Sequence, residues 1–234
     1  MDSSQISGVR SRLETDRIAK YLTDRIEGVE INFSTLCQDI AGISRKHARL
    51  RDKYDQFAKD LRQYADQEHT TVKLAINSYA ECVAGLEDYR QVMIDRIEAR
   101  VLRPLQTYST NCKKARDNMK SLQHVRDKEL VKLQAFDRVK IREPANKSKL
   151  TQYESEIQKT RVESERVLGD TQEQAEMFEK KKVEDLKKIF GDFLQTHMAF
   201  HAKALSLYTS AFQFLRSVDE VEQLNAFKQN INPH

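Results

Sequence analysis

The sequence has little of what punctuates a chain. Among 234 residues there are three prolines and six glycines, too few for the frequent tight turns of a sheet protein. The three cysteines, Cys37, Cys82 and Cys112, are odd in number and far apart. They offer neither a disulfide framework nor zinc-ligand spacing, and they fit a reducing interior. No stretch approaches the ~20 continuous apolar residues of a membrane span. Residues 1–10 lack the apolar core of a secretory signal. An intracellular, soluble protein is the expectation. An excess of charge of one sign is also missing: the formal net charge is +4, so no whole-molecule field identifies a partner. A Gly-rich phosphate loop is absent too, and no nucleophile setting is legible, so we expect neither an enzyme nor a cofactor. Nucleic acid is not an expected partner, since there is no aromatic stacking platform and no recognised binding fold.

What the chain does have is charge, at 32%, and helical periodicity. The organising stretch runs from about Thr70 to Arg142. Val72, Ile76, Tyr79, Val83 and Leu86, then Met93, Ile97, Val101, Leu105, Tyr108, Cys112, Ala115, Met119 and Leu122 recur at steps of three and four. That is the seam of a helix lying along partner helices. As one helix it would span roughly 110 Å, against a radius of gyration of about 17–18 Å for a compact domain of this length. An elongated molecule is therefore expected. Pro104, near the middle, removes a backbone donor and predicts a helix kink.

Two further helices flank this one. The first is predicted over about 11–66. It carries Leu22, Ile26, Val29, Phe33, Leu36, Ile40, Ile43, His47, Leu50, Tyr54, Phe57, Leu61 and Tyr64 on one seam. His47 reads either as a core histidine with a partner or as a register or pH element. Thr70 or Thr71 is the expected cap of the next helix. The break at Arg138–Ser148 contains Pro144, which suits the start of a new helix. The third helix, over about 145–217, is lean at first and rich afterwards. Five of the ten phenylalanines fall between residues 189 and 215, more than one stripe can bury. The surplus predicts self-association through Ile189, Phe190, Phe193, Phe200, Leu207, Tyr208, Phe212 and Phe214. Residues 1–18 form an N-terminal arm, either a short amphipathic segment built on Ile6, Val9 and Leu13 or a frayed end. The acidic turn at Asp219–Glu222 ends the regular pattern, and residues 221–234 read as a tail.

The positive charge is concentrated. Arg138, Lys140, Arg142, Lys147 and Lys149 face one acid, Glu143, across residues 138–149. Lys113, Arg116, Lys120 and His124 share a stripe just before them, Lys128 and Lys132 continue it, and Lys46, Arg49 and Lys53 form a lesser stripe on the first helix. An anionic phospholipid membrane is the expected ligand of these bases, each contributing about 1 kcal/mol near such a surface. His197 and His201 have the i,i+4 spacing of a metal pair, but Met198 stands where a zinc protease needs its glutamate. Packing is the expected role of the two histidines, and no metal site is assigned.

Several strings carry a resemblance: Leu36-Cys37-Gln38; Arg45-Lys46-x-Ala48-Arg49-Leu50-Arg51-Asp52-Lys53; Asp88-Tyr89-Arg90-Gln91; and Glu98-Ala99-x-Val101-x-x-Pro104-Leu105-x-Thr107-Tyr108. A fifth begins Ile189-Phe190-x-x-Phe193 and continues at Phe200-His201-x-Lys203-Ala204-Leu205-x-x-Tyr208-Thr209-x-Ala211. Over about 20–220 the chain resembles the Chibby-interacting BAR-domain proteins of the ciliary base. The resemblance implies an all-α fold of three long, kinked, antiparallel helices, with residues 19–220 as the BAR domain. It implies an elongated coiled-coil homodimer with a six-helix core. It further implies curvature sensing or generation on membranes, Chibby, a small coiled-coil protein, as partner, and a place in the cytoplasm at the basal body and transition zone. It marks no Chibby-binding residue, and the acid-rich tail that follows the BAR domain in that family does not occur within residues 1–234, either naturally or by truncation. A cytoskeletal coiled-coil scaffold without lipid binding is the alternative.

Overall fold

A computed structural model describes residues 3–232; for residues 3–12 and 70 only the backbone is considered. The described residues contain helices and no strand. Helix α1 runs Ser3–Ala65, α2 Thr70–Ile97, α3 Arg103–Arg142, α4 Lys147–Arg216 and α5 Glu220–Ile231. A five-residue π-helical turn, Glu98–Leu102, joins α2 to α3. The expected middle helix is thus continuous in course but changes winding just before Pro104. Proline cannot donate to the carbonyl four residues back. Here Arg103 N–H bonds instead to Glu98 O, five residues back, the bond that defines a π turn.

Three sequence expectations need correction. Residues 1–18 are not set apart by a break: α1 is unbroken from Ser3 through this boundary. Neither threonine caps α2; the N-cap is His69, whose side chain makes no capping bond. Residues 221–234 are not simply a tail, because α5 occupies most of them. Asp219 starts it by accepting from Val221 N–H and Glu222 N–H, and Glu220 and Glu222 follow in the first turn, the favourable end for acids.

The helices divide between two compact units. The first holds residues 1–35 and 106–186. Its buried apolar residues are Ile26, Val29, Phe33, Tyr108, Cys112 and Leu122. Phe33 packs on Tyr108 with ring centroids 4.2 Å apart, and the Tyr108 hydroxyl donates to Asp185 Oδ2 at 2.9 Å. Elsewhere α4 turns small polar groups inward. Thr160, Ser164 and Thr171 are buried, and both threonines return their hydroxyls to carbonyls one turn back. Around Ala115 and Ala175 a cleft of about 430 Å³ opens, lined also by Ile18, Leu22, Met119 and Phe178.

The second unit holds residues 36–105 and 187–234. Ala80, Val83, Leu86, Met93, Ile97, Val101, Leu102 and Leu105 are buried with Ile40, Ile189, Phe200, Ala204 and Ala211. Inside this apolar packing lies a polar centre. Glu87 and Arg90 are 1% and 5% exposed, joined by Arg90 Nε–Glu87 Oε2 at 2.5 Å. The Arg90 guanidinium sits over the Phe200 ring at 4.7 Å and the Tyr54 ring at 5.7 Å, which offsets part of its lost hydration. His47 Nδ1 lies 3.4 Å from Arg90 Nη1.

Candidate interaction surfaces

Two features stand out, one in each unit. In the second unit, α4 presents a row of apolar side chains to solvent. Ile189 and Phe200, expected at a dimer interface, are instead filled into the chain's own core at 1% and 7% exposure. They have no area left to give a partner. Phe190, Phe193 and Leu207 are half-buried. The exposed apolar residues are Leu194, Met198, Leu205, Tyr208, Phe212, Phe214 and Leu215. With His201, all but Phe214 follow steps of four and three: 194, 198, 201, 205, 208, 212, 215. That is a second heptad seam, turned away from the first. Of the residues expected at an interface, Tyr208, Phe212 and Phe214 are exposed, whereas Ile189 and Phe200 are taken up by the chain's own core. The inward seam of Ile189, Phe193, Thr196, Phe200, Ala204, Leu207 and Ala211 belongs to the monomer. Reading α4 as two interleaved heptads rather than one wide stripe is the signal that separates them.

His197 lies among aromatic rings, and His201 is exposed one turn further on. His197 lies 5.8 Å from His47 and 6.2 Å from His201 between ring centroids, with Phe193 at 4.5 Å. No group of three or more metal-ligating side chains is assembled among the described residues. Burial lowers the pKa of both His47 and His197; the Arg90 charge adds to this for His47, and His201 adds to it for His197.

In the first unit, the expected lipid-binding bases lie on α3 and the turn into α4. Lys113, Lys120, Lys128, Arg138, Lys140, Arg142 and Lys147 are exposed; Arg116, Lys132 and Lys149 are half-buried. Several are engaged: Arg116 with Glu30, Lys120 with Asp117, Lys128 with Glu163, Lys132 with Glu156. The turn's single acid is spent on Lys149, at 2.8 Å. The Lys149 ammonium and the Asn146 amide hold the Glu143 carboxyl below its ordinary range. Asn146 also accepts from Lys149 N–H at 3.1 Å, so the turn is built around its own pair. Lys113, Arg138, Lys140, Arg142 and Lys147 make no ion pair among the described residues. The engaged pairs are mostly solvent-exposed, and such pairs are worth at most about 1 kcal/mol, so an anionic surface can compete for them. Lys46, Arg49 and Lys53 are exposed but belong to the second unit. No helix among the described residues is long and apolar enough to cross a membrane.

Sequence reasoning missed the Glu87–Arg90 centre. Its trace was the gap between Leu86 and Met93, where Arg90 holds the seam position.

Helices of this length and order define a BAR-domain fold. The Drosophila amphiphysin BAR domain matches with a TM-score of 0.68 at 12% identity, covering 86% of this chain and 92% of that one. The N-terminal I-BAR domain of Dictyostelium discoideum IBARa matches with a TM-score of 0.58 at 13% identity, covering 92% and 99%. At the level of sequence, the model of the FAM92 family, described as "FAM92 protein", matches residues 7–225, and the chain belongs to that family. Relatives named CBY1-interacting BAR domain-containing protein 1 are 37% identical over 218 residues in Danio rerio, covering 93% of this chain and 74% of the relative. The Homo sapiens relative is 37% identical over 212 residues, covering 91% and 73%.

Proposed function

We propose that this BAR-domain chain acts as a homodimer that binds anionic membrane and senses or generates its curvature. The outward α4 seam, Leu194 to Leu215, is the self-association surface. The membrane reading is carried by one observation: Lys113, Arg138, Lys140, Arg142 and Lys147 are exposed and without ion pairs among the described residues, in one unit of a BAR fold. Arg116, Lys120, Lys128, Lys132 and Lys149 join them by exchanging weak protein partners for lipid phosphates, and Pro104 with its π turn contributes the kink. Dimerisation doubles the bases, so individually weak contacts add in avidity. The relatives' names support a CBY1-like small coiled-coil partner, and with it a site of action at the ciliary base, peripheral on membranes. The role is binding and shaping, not catalysis.

Co-sedimentation with vesicles of phosphatidylserine and phosphatidylcholine tests the reading. Lys113→Glu, Arg116→Glu and Lys120→Glu together should abolish pelleting while helical content and dimer mass hold. Wild-type binding should fade as salt shortens the screening length from about 10 Å at 0.1 M to about 3 Å at 1 M. Wild type that fails to pellet at low salt would leave the scaffold reading in its place.

A further inference from the structure

Helix α5 is amphipathic, yet it meets its own chain with the polar side. It packs on α2 and is fastened to the α1–α2 turn by two side-chain bonds. Gln223 Nε2 donates to Glu68 Oε2 at 3.1 Å, and Asn230 Nδ2 lies 3.0 Å from His69 Nε2. Gln223 and Ala226 are half-buried on this side. Val221, Leu224, Phe227 and Ile231 are turned away from it, at 69%, 52%, 55% and 57% exposure. None of its residues is buried. A helix of 12 residues is marginal in water by itself, and an aspartate cap, two polar anchors and the half-buried Ala226 bury little apolar surface to offset the cost of ordering it. Its apolar stripe needs a cover.

We infer that the α5 stripe packs against a second copy of this chain, extending the α4 seam into a clasp at the end of the dimer interface. The inference rests on the homodimer reading and adds a second element to it. Continuity favours this occupant. Phe212 and Leu215 end the exposed α4 seam, a three-residue turn follows, and Val221 begins the α5 stripe. Tyr64 and Leu74, flanking the turn to which α5 is fastened, are also exposed, at 50% and 69%. Aliphatic and aromatic side chains with so few charges are the composition of an interface that resembles a divided core. Charge disfavours a lipid cover: Asp219, Glu220 and Glu222 stand at the start of α5 against one base, Lys228, and an anionic bilayer repels that end. A two-fold operator makes the contact reciprocal, so it occurs twice in one interface, once from each α5.

The test measures self-association of the full chain by sedimentation and by dilution of a fluorescently labelled pool. The variant carries Val221→Ser, Leu224→Ser, Phe227→Ser and Ile231→Ser together. Since α5 contributes nothing to the buried core, α1–α4 should keep their circular-dichroism signal and melting behaviour. Self-association should weaken about tenfold or more. Hydrogen exchange gives the second readout: α5 amides of the wild type should be protected at concentrations where it is dimeric and unprotected after dilution to monomer. A wild type that stays monomeric at every concentration sinks the homodimer reading itself. A dimer whose dissociation constant is unchanged in the variant, with α5 amides equally protected in both states, overturns only the clasp. Loss of vesicle binding at an unchanged dissociation constant also overturns it, and assigns the stripe to lipid.

Discussion

The two halves of α4 are built on opposite economies. In the first unit it turns Thr160, Ser164, Thr171 and the nearly buried Lys182 toward its neighbours, and ion pairs such as Arg25–Glu179 join it to α1 at the surface. In the second unit the same helix supplies Ile189, Phe200, Ala204 and Ala211 to a core and still has a full apolar seam left over. The lean half exposes only scattered apolar side chains, Val162, Met177 and Val183; the rich half exposes a continuous seam of them. Buried apolar area sets how strongly helices hold one another, so the second unit should contribute more to stability than the first, and under the proposed function it also supplies the association while the first presents charge.

The sharpest way to break this contrast is at Arg90. Arg90→Ala strands the Glu87 carboxylate in a site where it is 1% exposed. Removing one partner of a buried pair costs about 3–5 kcal/mol, read as a lowered midpoint in urea unfolding. Replacing both partners by apolar residues, Glu87→Leu with Arg90→Met, should recover most of the loss, because the pair's own desolvation is then avoided.

A smaller effect separates the units by pH. His47 and His197 have lowered pKa values in the folded state, so the unfolded chain binds protons first. Stability from their neutral forms is full above the unfolded value of about 6.5 and drains as pH falls below it toward the folded values. Glu179 belongs to the first unit, and its hydrogen bond with Arg25 leads the causes that hold its pKa down at about 2. Its contribution is present above the ordinary carboxylate value of about 4.3 and is lost as pH falls from there to about 2. Melting curves from pH 7.5 to 5 should therefore show a decline that His197→Gln flattens and Glu179→Gln leaves alone.

The smallest expected change is Arg25→Ala. Both partners of this pair are more than a third exposed, at 48% and 41%, so its loss should cost at most about 1 kcal/mol. A cost like that of Arg90→Ala would mean that the lean unit is held by its charges after all.

The sequence made the long helices legible because their seams repeat over many turns, from Leu22 to Tyr64 without a miss and from Val72 to Leu122 with one polar member and one shift of frame. It pointed to surplus on α4 but mixed exposed members, Tyr208, Phe212 and Phe214, with buried ones, Ile189 and Phe200. Ile189 and Phe200 are as apolar as Leu205 and Phe212, and composition cannot say which of two interleaved stripes faces inward. α5 escaped because twelve residues give barely three turns of periodicity, too few to stand out beside an acidic turn. The engagement of Arg116 and Lys132 by acids was invisible for another reason. Glu30 and Glu156 are distant in sequence or on another helix, and only packing brings them within reach.

The π turn at Glu98–Leu102 has a consequence for inheritance. Before it, Val83, Arg90 and Ile97, with Leu86 and Met93, keep strict seven-residue time. Carried forward, that count lands on Arg100 and Pro104, a cation and a proline. Buried instead, one place later, are Val101 and Leu105, with Leu102 beside them inside the widened turn, and from there Tyr108, Cys112, Ala115, Met119 and Leu122 keep time again. The chain holds one surplus residue, and the widened turn absorbs it. Two heptad frames that differ by a single codon are thus spliced within one helix. Deleting one residue from 98–102 should merge them into an unbroken count, and any later insertion or loss of one residue on either side would have to be absorbed by a turn of the same kind.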